Sequence, residues 1–109
     1  MMFFNLLKLL SFKKIVDLGS FSKAAESLGI TPPAISKQIR ELEKFLNVQL
    51  LRRNTRSFTL TKAGEEAYNY FSTLITGMDK FCETIANLND NPYAKMKHNP
   101  LLNIRKDDY

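Results

Sequence analysis

Cationic, hydroxyl and amide side chains are concentrated in two short stretches of this 109-residue chain. The first stretch, residues 36–40, reads Ser-Lys-Gln-Ile-Arg, and the second, residues 52–56, reads Arg-Arg-Asn-Thr-Arg. Such groups form hydrogen bonds with phosphates and base edges, and arginine also suits narrow minor grooves because it is planar and permanently charged. A solvated helix face or a surface loop can have the same composition. The surrounding elements must therefore decide between these interpretations.

Groups that support catalysis or bind metals are sparse in comparison. Cys82 and His98 are the only cysteine and the only histidine, which excludes an intrachain disulfide and a cysteine-rich metal cluster. The sequence contains no glycine-rich phosphate loop. Four carboxylates are interpreted as ordinary helix-face charges without a convergent partner: Glu41, Glu43, Glu65 and Glu66. We therefore predict a protein that is not an enzyme and that uses no cofactor and no metal.

The composition is that of an ordinary globular domain, with 44% hydrophobic and 25% charged residues and a formal net charge of +5. A positive net charge favours a polyanionic partner but does not identify that partner. The apolar start, residues 1–10, is interrupted by Lys8 and lacks the basic lead and cleavage site of a secretory signal. No run approaches the roughly 20 apolar residues that span a bilayer. We therefore expect a cytoplasmic, unprocessed protein with no membrane partner.

Apolar periodicity predicts three short helices, at about 5–18, 22–28 and 33–46. Gly19 and Gly29 are expected to end the first two helices, because glycine readily adopts the left-handed conformation of a C-terminal cap, and Asn47 to end the third. Because the residue before a proline avoids the α region, we expect Pro32 to be the N-cap and Pro33 the first residue of the third helix. Apolar spacing alone does not exclude an ordinary αα-hairpin core.

The same periodicity predicts which helix faces are buried. Lys8 is expected to lie off the buried face of the first helix, which comprises Leu9, Phe12, Ile15 and Val16. The inward positions of the third helix are Ala34, Ile35, Ile39, Leu42 and Leu46. The polar side chains of the third helix then project outward, at positions 36, 37, 38, 40 and 44.

Two short extended runs, residues 48–53 and 57–60, flank a turn and predict a small hairpin. Its tip carries Arg53 and Arg56, close enough together to reach one groove or one phosphate strand. A hairpin without a binding role is the alternative, but its position directly after the third helix argues against it. This order of elements is typical of a winged helix-turn-helix, which places one helix in the DNA major groove. The predicted fold class is therefore mainly α, with a three-helix core and a small β-hairpin wing.

A long fourth helix is predicted from Lys62 to Leu88, with Thr61 as its N-cap. A helix roughly 40 Å long exceeds what so small a domain can cover. We therefore expect four residues to be exposed in a single chain: Phe71, Leu74, Met78 and Phe81. Pairing with a second chain would bury them, which predicts a homodimer through this helix. The seam has the period of about 3.5 residues seen in coiled coils, and it comprises Ala67, Phe71, Leu74, Met78, Phe81, Ile85 and Leu88.

Residues from about 9 to 88 together resemble the DNA-binding domain of LysR-type transcriptional regulators. The resemblance implies a winged helix-turn-helix and a linker helix that pairs two subunits on a two-fold symmetric operator. The matching motifs are Gly19-Ser20-Phe21 with Ala24-Ala25 and Leu28, Pro33-Ala34-Ile35-Ser36, Gln38-Ile39 with Leu42-Glu43, Leu50-Leu51 with Arg53 and Arg56, and Leu60-Thr61 with Ala63-Gly64.

The resemblance and the charge pattern also predict which residues contact DNA. Ser36 and Lys37 would read bases, and Ser22 and Thr31 would contact phosphates from helix N-termini. The family often has glutamine at the position of Pro32, which offers only van der Waals contact. The predicted DNA-binding residues are Ser22, Thr31, Pro32, Pro33, Ser36, Lys37, Arg40, Arg53 and Arg56.

Family members usually continue into a longer effector-binding domain, and nothing after Asn89 resembles its beginning. The predicted organisation is a winged helix-turn-helix at 1–61, a linker helix at 62–88 and a flexible or loosely docked tail at 89–109, without a small-molecule effector site. The favoured hypothesis is a sequence-specific transcriptional regulator that binds double-stranded DNA as a homodimer. The alternative is a truncated interaction module that forms heterodimers with full-length relatives through the linker helix.

Overall fold

The computed structural model of the chain describes residues 6–55 and 57–89. The predictions for Asn5, Arg56 and the tail beyond Asn89 lie outside the described residues. The chain divides into two compact units, residues 1–71 and 72–109. Within the described residues the mainly α winged helix-turn-helix fold is confirmed, with elements α1 (Leu6–Leu18), α2 (Phe21–Leu28), α3 (Pro32–Leu46), β1 (Leu51–Arg53), β2 (Phe58–Leu60) and α4 (Lys62–Asn89).

Polar side chains cap the N-termini of α2 and α3. The Ser20 hydroxyl accepts a hydrogen bond from the Lys23 N–H at 3.1 Å. The Thr31 hydroxyl accepts one from the Ala34 N–H at 3.2 Å. The expectation that Pro32 is the N-cap was wrong: Thr31 is the residue in extended conformation, as a residue before proline prefers, and both prolines lie inside the first helical turn.

The C-terminal caps follow the predicted chemistry. Gly29 and Asn47 adopt left-handed conformations, with φ of 72° and 57°, and end α2 and α3. Leu46, predicted to point inward, is the last residue of α3 and is 38% exposed. Ile35, Ile39 and Leu42 are buried as predicted.

The start of α4 completes the core of the first unit. Phe71 is only 7% exposed, and its ring packs edge-on against Phe12 of α1 with centroids 5.9 Å apart. Ala67 also packs against this core, and the Tyr68 hydroxyl donates a hydrogen bond to the Asp17 carboxylate. The expectation that Phe71 is exposed in a single chain was therefore wrong, because the first turns of α4 lie against the three-helix core.

Lys8 also departs from prediction, since it is buried to 9% exposure rather than lying off the packed face of α1. Its ammonium group lies 3.1 Å from a Glu41 carboxylate oxygen and donates a hydrogen bond to the Gln38 side-chain oxygen at 3.3 Å. A long aliphatic stem permits this burial because the charged end reaches polar partners. Lys8 therefore ties α1 to α3.

The hairpin is attached to α3 through one carboxylate. Glu43 Oε2 accepts hydrogen bonds from the backbone N–H groups of Leu50 at 2.7 Å and Leu51 at 3.1 Å. Leu50 and Leu51 are 1% and 2% exposed, so water cannot replace this acceptor easily. Glu43 therefore satisfies the backbone at the point where the chain enters β1.

The same segment is attached to α4 from its other side. The Thr61 N–H donates to the Leu50 carbonyl at 3.0 Å, and the Thr61 hydroxyl donates to the Gln49 carbonyl at 2.6 Å and accepts from the Gly64 N–H at 2.9 Å. Helix and backbone approach so closely that a Cβ at Gly64 would lie 2.1 Å from the Leu50 carbonyl oxygen. Only glycine therefore fits at position 64 without displacing the neighbouring backbone.

Glu43→Ala should lower the free energy of unfolding by about 2–3 kcal/mol, because it leaves two N–H groups in a buried segment without their acceptor. Glu43→Gln keeps an acceptor oxygen and should recover most of that loss. Glu66→Ala removes an exposed carboxylate and should change stability by less than about 0.5 kcal/mol. Urea unfolding followed by circular dichroism compares the three variants. A loss for Glu43→Ala no larger than for Glu66→Ala would contradict the structural role of Glu43.

Gly64→Ala should destabilise the protein by about 1–3 kcal/mol, since the added methyl group forces the backbone apart at Leu50. Gly77→Ala lies in the same helix, where a Cβ meets no neighbouring atom within 4 Å among the described residues. This control should raise stability by about 1 kcal/mol through helix propensity alone. Thermal unfolding shows whether each substitution raises or lowers stability. Stabilisation by both substitutions would disprove the close approach of Gly64 to the Leu50 carbonyl.

Candidate nucleic-acid interface

The outward face of α3 carries the polar residues that the sequence assigned to DNA. Pro32, Pro33, Lys37 and Arg40 are exposed, and Ser36 is half-buried. The Lys37 ammonium lies 3.9 Å from Glu41 and its side chain is 66% exposed, so this pair is loose and screened by solvent. The N-terminal half of α3 therefore presents hydroxyl and cationic groups to solvent.

The starts of α2 and α3 place two further hydroxyl groups on the surface. Ser22 lies in the first turn of α2 and is exposed, as is Thr31. Thr31 uses a lone pair of its hydroxyl oxygen as the cap of α3, which leaves its O–H available as a donor. Unpaired backbone N–H groups in such first turns also favour anions.

The hairpin presents Arg53 at the end of β1. The strands pair antiparallel with Leu51 opposite Leu60 and Arg53 opposite Phe58. The turn is closed by Asn54, whose side-chain oxygen accepts from the Ser57 N–H at 2.7 Å and whose N–H donates to the Ser57 carbonyl at 2.9 Å. Arg53 therefore lies at the end of a paired strand, next to the asparagine that bonds across the turn, whereas Arg56 lies outside the described residues.

Three elements meet around one groove. The start of α2 contributes Ser22, α3 contributes Ser36 and the hairpin contributes Arg53, so hydroxyl groups and a permanent cation converge there. Of the other predicted residues, Thr31, the two prolines, Lys37 and Arg40 do not line this groove. Its lining comprises Gly19, Ser20, Phe21, Ser22, Ser36, Arg53, Asn54, Thr55, Ser57 and Phe58.

Sequence reasoning missed the contribution of Phe21 to this groove. The Arg53 guanidinium carbon lies 4.0 Å from the centroid of the Phe21 ring. Strand alternation was the available signal: Arg53 follows Leu51 by two residues, so both lie on the same face of the hairpin, and Leu51 is buried. From the sequence alone, Arg53 is predicted only to lie at the hairpin tip, within reach of a groove or a phosphate strand.

Within the described residues, the later part of α4 has an exposed apolar surface. The apolar residues that remain exposed there, by 41–77%, are Leu74, Met78, Phe81, Ile85 and Leu88. They repeat at alternating steps of four and three residues, as a coiled-coil seam does. Ile75 and Ala86, on an adjacent side of the helix, are buried to 3% and 9% exposure.

The described part of the chain has neither a metal-binding cluster nor a membrane-spanning helix. Across residues 6–55 and 57–89, no group of three or more histidine, cysteine, aspartate or glutamate side chains is arranged to hold a metal ion. None of the helices in these ranges is long and apolar enough to cross a membrane.

The amino-acid sequence is similar to those of known transcriptional regulators. A probable RuBisCO transcriptional regulator of Chlorokybus atmophyticus is 44% identical over 85 residues, which are 78% of this chain and 27% of that protein. An HTH-type transcriptional repressor of Pseudomonas aeruginosa is 32% identical over 96 residues, or 88% of this chain and 30% of the repressor. The chain thus spans less than a third of the length of these relatives.

The fold is also similar to that of solved DNA-binding domains. The BenM DNA-binding domain, solved in complex with its catB site 1 DNA, matches with a TM-score of 0.75 and 33% identity over 80% of this chain and 97% of that domain. The family of bacterial regulatory helix-turn-helix proteins, lysR family, matches residues 6–65 by its sequence pattern, which is more than half of the chain. The chain therefore belongs to the LysR family of bacterial helix-turn-helix regulators.

Proposed function

We propose that the protein is a transcriptional regulator that binds duplex DNA sequence-specifically as a homodimer. The observation that carries this proposal is the groove in which Ser22, Ser36 and Arg53 converge beside the exposed N-terminal half of α3. The solved complex of the similar BenM domain with DNA supports the same class of partner. In this proposal α3 enters the major groove and the hairpin contacts the backbone or the minor groove.

The proposed residues divide into two roles. Ser36 and Lys37 contact base edges from the exposed face of α3, with Pro32 and Pro33 offering van der Waals contact at its start. The remaining residues act on phosphates, which fixes the register of the protein without reading sequence. This second group comprises Ser22, Thr31, Arg40, Arg53 and the sequence-predicted Arg56.

The exposed seam of α4 supports the homodimer. Leu74, Met78 and Phe81 would leave an apolar stripe in water, which a second copy of the helix would cover. Because Phe71 is buried in its own chain, we place the start of the seam available to a partner at Leu74. Two copies would then present two copies of α3 to a two-fold symmetric site.

The function is tested by selection from a randomised duplex library at near-physiological salt, with sequencing of the retained DNA. An enriched two-fold symmetric motif is the expected result. Salt-sensitive retention of DNA without an enriched motif would show non-specific binding and would overturn the proposed sequence specificity. If the protein retains no DNA, the proposal is overturned. That result would favour the alternative, in which the chain forms heterodimers with full-length relatives.

Lys37→Ala should weaken binding to the selected motif about tenfold or more and relax base preference where the lysine contacts a base edge. Arg53→Ala should instead weaken binding to all duplexes and reduce the slope of log K against log salt by about 1, because one phosphate contact is lost. Fluorescence anisotropy over a salt series separates these effects. Lys80→Ala removes an exposed cation outside the proposed interface and should have little effect. Identical behaviour of all three variants would contradict this assignment of roles.

Met78→Glu and Phe81→Glu should each convert the dimer to a monomer, because an unpaired carboxylate would be buried in the apolar seam. Thr76→Glu is the matched control, since Thr76 is exposed and the helical period places it on the side of α4 opposite the seam. Sedimentation velocity reports the oligomeric state. A wild-type protein that is already monomeric, or seam variants that remain dimeric, would exclude pairing through this surface.

A further inference from the structure

We propose that Phe21 is a positioning residue for Arg53: its ring holds the guanidinium group beside the groove before DNA binds. The inference rests on the proposed function, because it assigns a role within the proposed DNA-binding groove. Arg53 is exposed, and an unsupported arginine at a hairpin end would sample many rotamers. The contact with the Phe21 ring restricts the Arg53 side chain to rotamers that keep the guanidinium over that ring.

The Phe21 ring makes two close contacts, one with the guanidinium group of Arg53 and one with the ring of Phe58. The guanidinium carbon lies 4.0 Å from the Phe21 centroid, well inside the range of about 6 Å for cation–π attraction. Phe21 itself packs edge-on against Phe58, with centroids 5.8 Å apart and planes at 88°. Both rings are partly buried and pack against the core, so the surface that supports the arginine is fixed.

Strand register explains why Arg53 is the residue that stacks. Arg53 lies directly opposite Phe58 in the hairpin, and opposite residues of an antiparallel pair share a face. Arg52 precedes it on the alternate face and pairs with Thr59. The chain thus contains two adjacent arginines, of which only the one on the Phe21 side is placed for stacking.

Stacking leaves the arginine able to bind phosphate. The guanidinium carbon lies over the Phe21 ring, and the five N–H donors of a planar guanidinium point outward from its edge, so one ring does not occupy them. Serine hydroxyl groups of α2 and α3 line the same groove. Because the side chain is already ordered, binding avoids part of the entropy cost of immobilising it, an advantage of about three- to tenfold in affinity.

The stack itself is tested without DNA. Ring currents should shift the side-chain δ protons of Arg53 upfield relative to those of Arg52 in NMR spectra of the wild-type protein. Phe21→Leu keeps an apolar side chain and should abolish the shift, whereas Phe21→Tyr should retain it. Equal shifts for Arg52 and Arg53 in the wild type would overturn the proposal.

The positioning role is tested by a double-mutant cycle on duplex binding. Phe21→Leu should weaken binding about three- to tenfold, Phe21→Tyr should restore it, and Phe21→Leu should have no further effect in an Arg53→Gln background. In an Arg52→Gln background the full effect of Phe21→Leu should persist. Equal losses in both backgrounds would show that Phe21 acts only through the fold and would overturn this inference alone. Failure of the wild type to bind any duplex would instead overturn the proposed function and the positioning role with it.

Discussion

The hairpin depends on the Glu43 carboxylate more than on its own strand pairing. Strands of three residues form too few hydrogen bonds to hold a hairpin together in isolation. Glu43 supplies an acceptor for two consecutive N–H groups at the base of the hairpin, at Leu50 and Leu51. Because Glu43 lies on α3, the same helix that presents Lys37, the orientation of the hairpin is tied to that helix.

Thr61 and Gly64 hold the other side of this junction. The N-cap hydroxyl of α4 bonds to the backbone just before β1, and the missing side chain at Gly64 lets the helix approach Leu50. The start of the hairpin is consequently held from two sides, by Glu43 of α3 and by Thr61 at the start of α4. The hairpin held in this way carries Arg53, which lies over the Phe21 ring and lines the groove together with serines from α2 and α3.

Local chemistry predicted much of this architecture. Left-handed caps at Gly29 and Asn47, the N-cap hydroxyl of Thr61 and the short hairpin all follow from single residues and their neighbours. The errors concern Lys8, Pro32, Leu46 and Phe71. Three of these four are errors of burial, which depends on elements distant in sequence: Lys8 is buried because α3 supplies Glu41, and Phe71 because α1 supplies Phe12.

The sequence by itself determined the family, the order of the elements and the candidate residues of α3, because periodicity, caps and turn residues act over a few positions along the chain. Only the tertiary structure decided which side chains meet. It divided the apolar seam of α4 into a part covered by the chain's own core, ending at Phe71, and an exposed part beginning at Leu74. It also placed Arg53 on an aromatic ring rather than at a free tip. Packing between distant segments sets both outcomes, and spacing along one chain does not encode it.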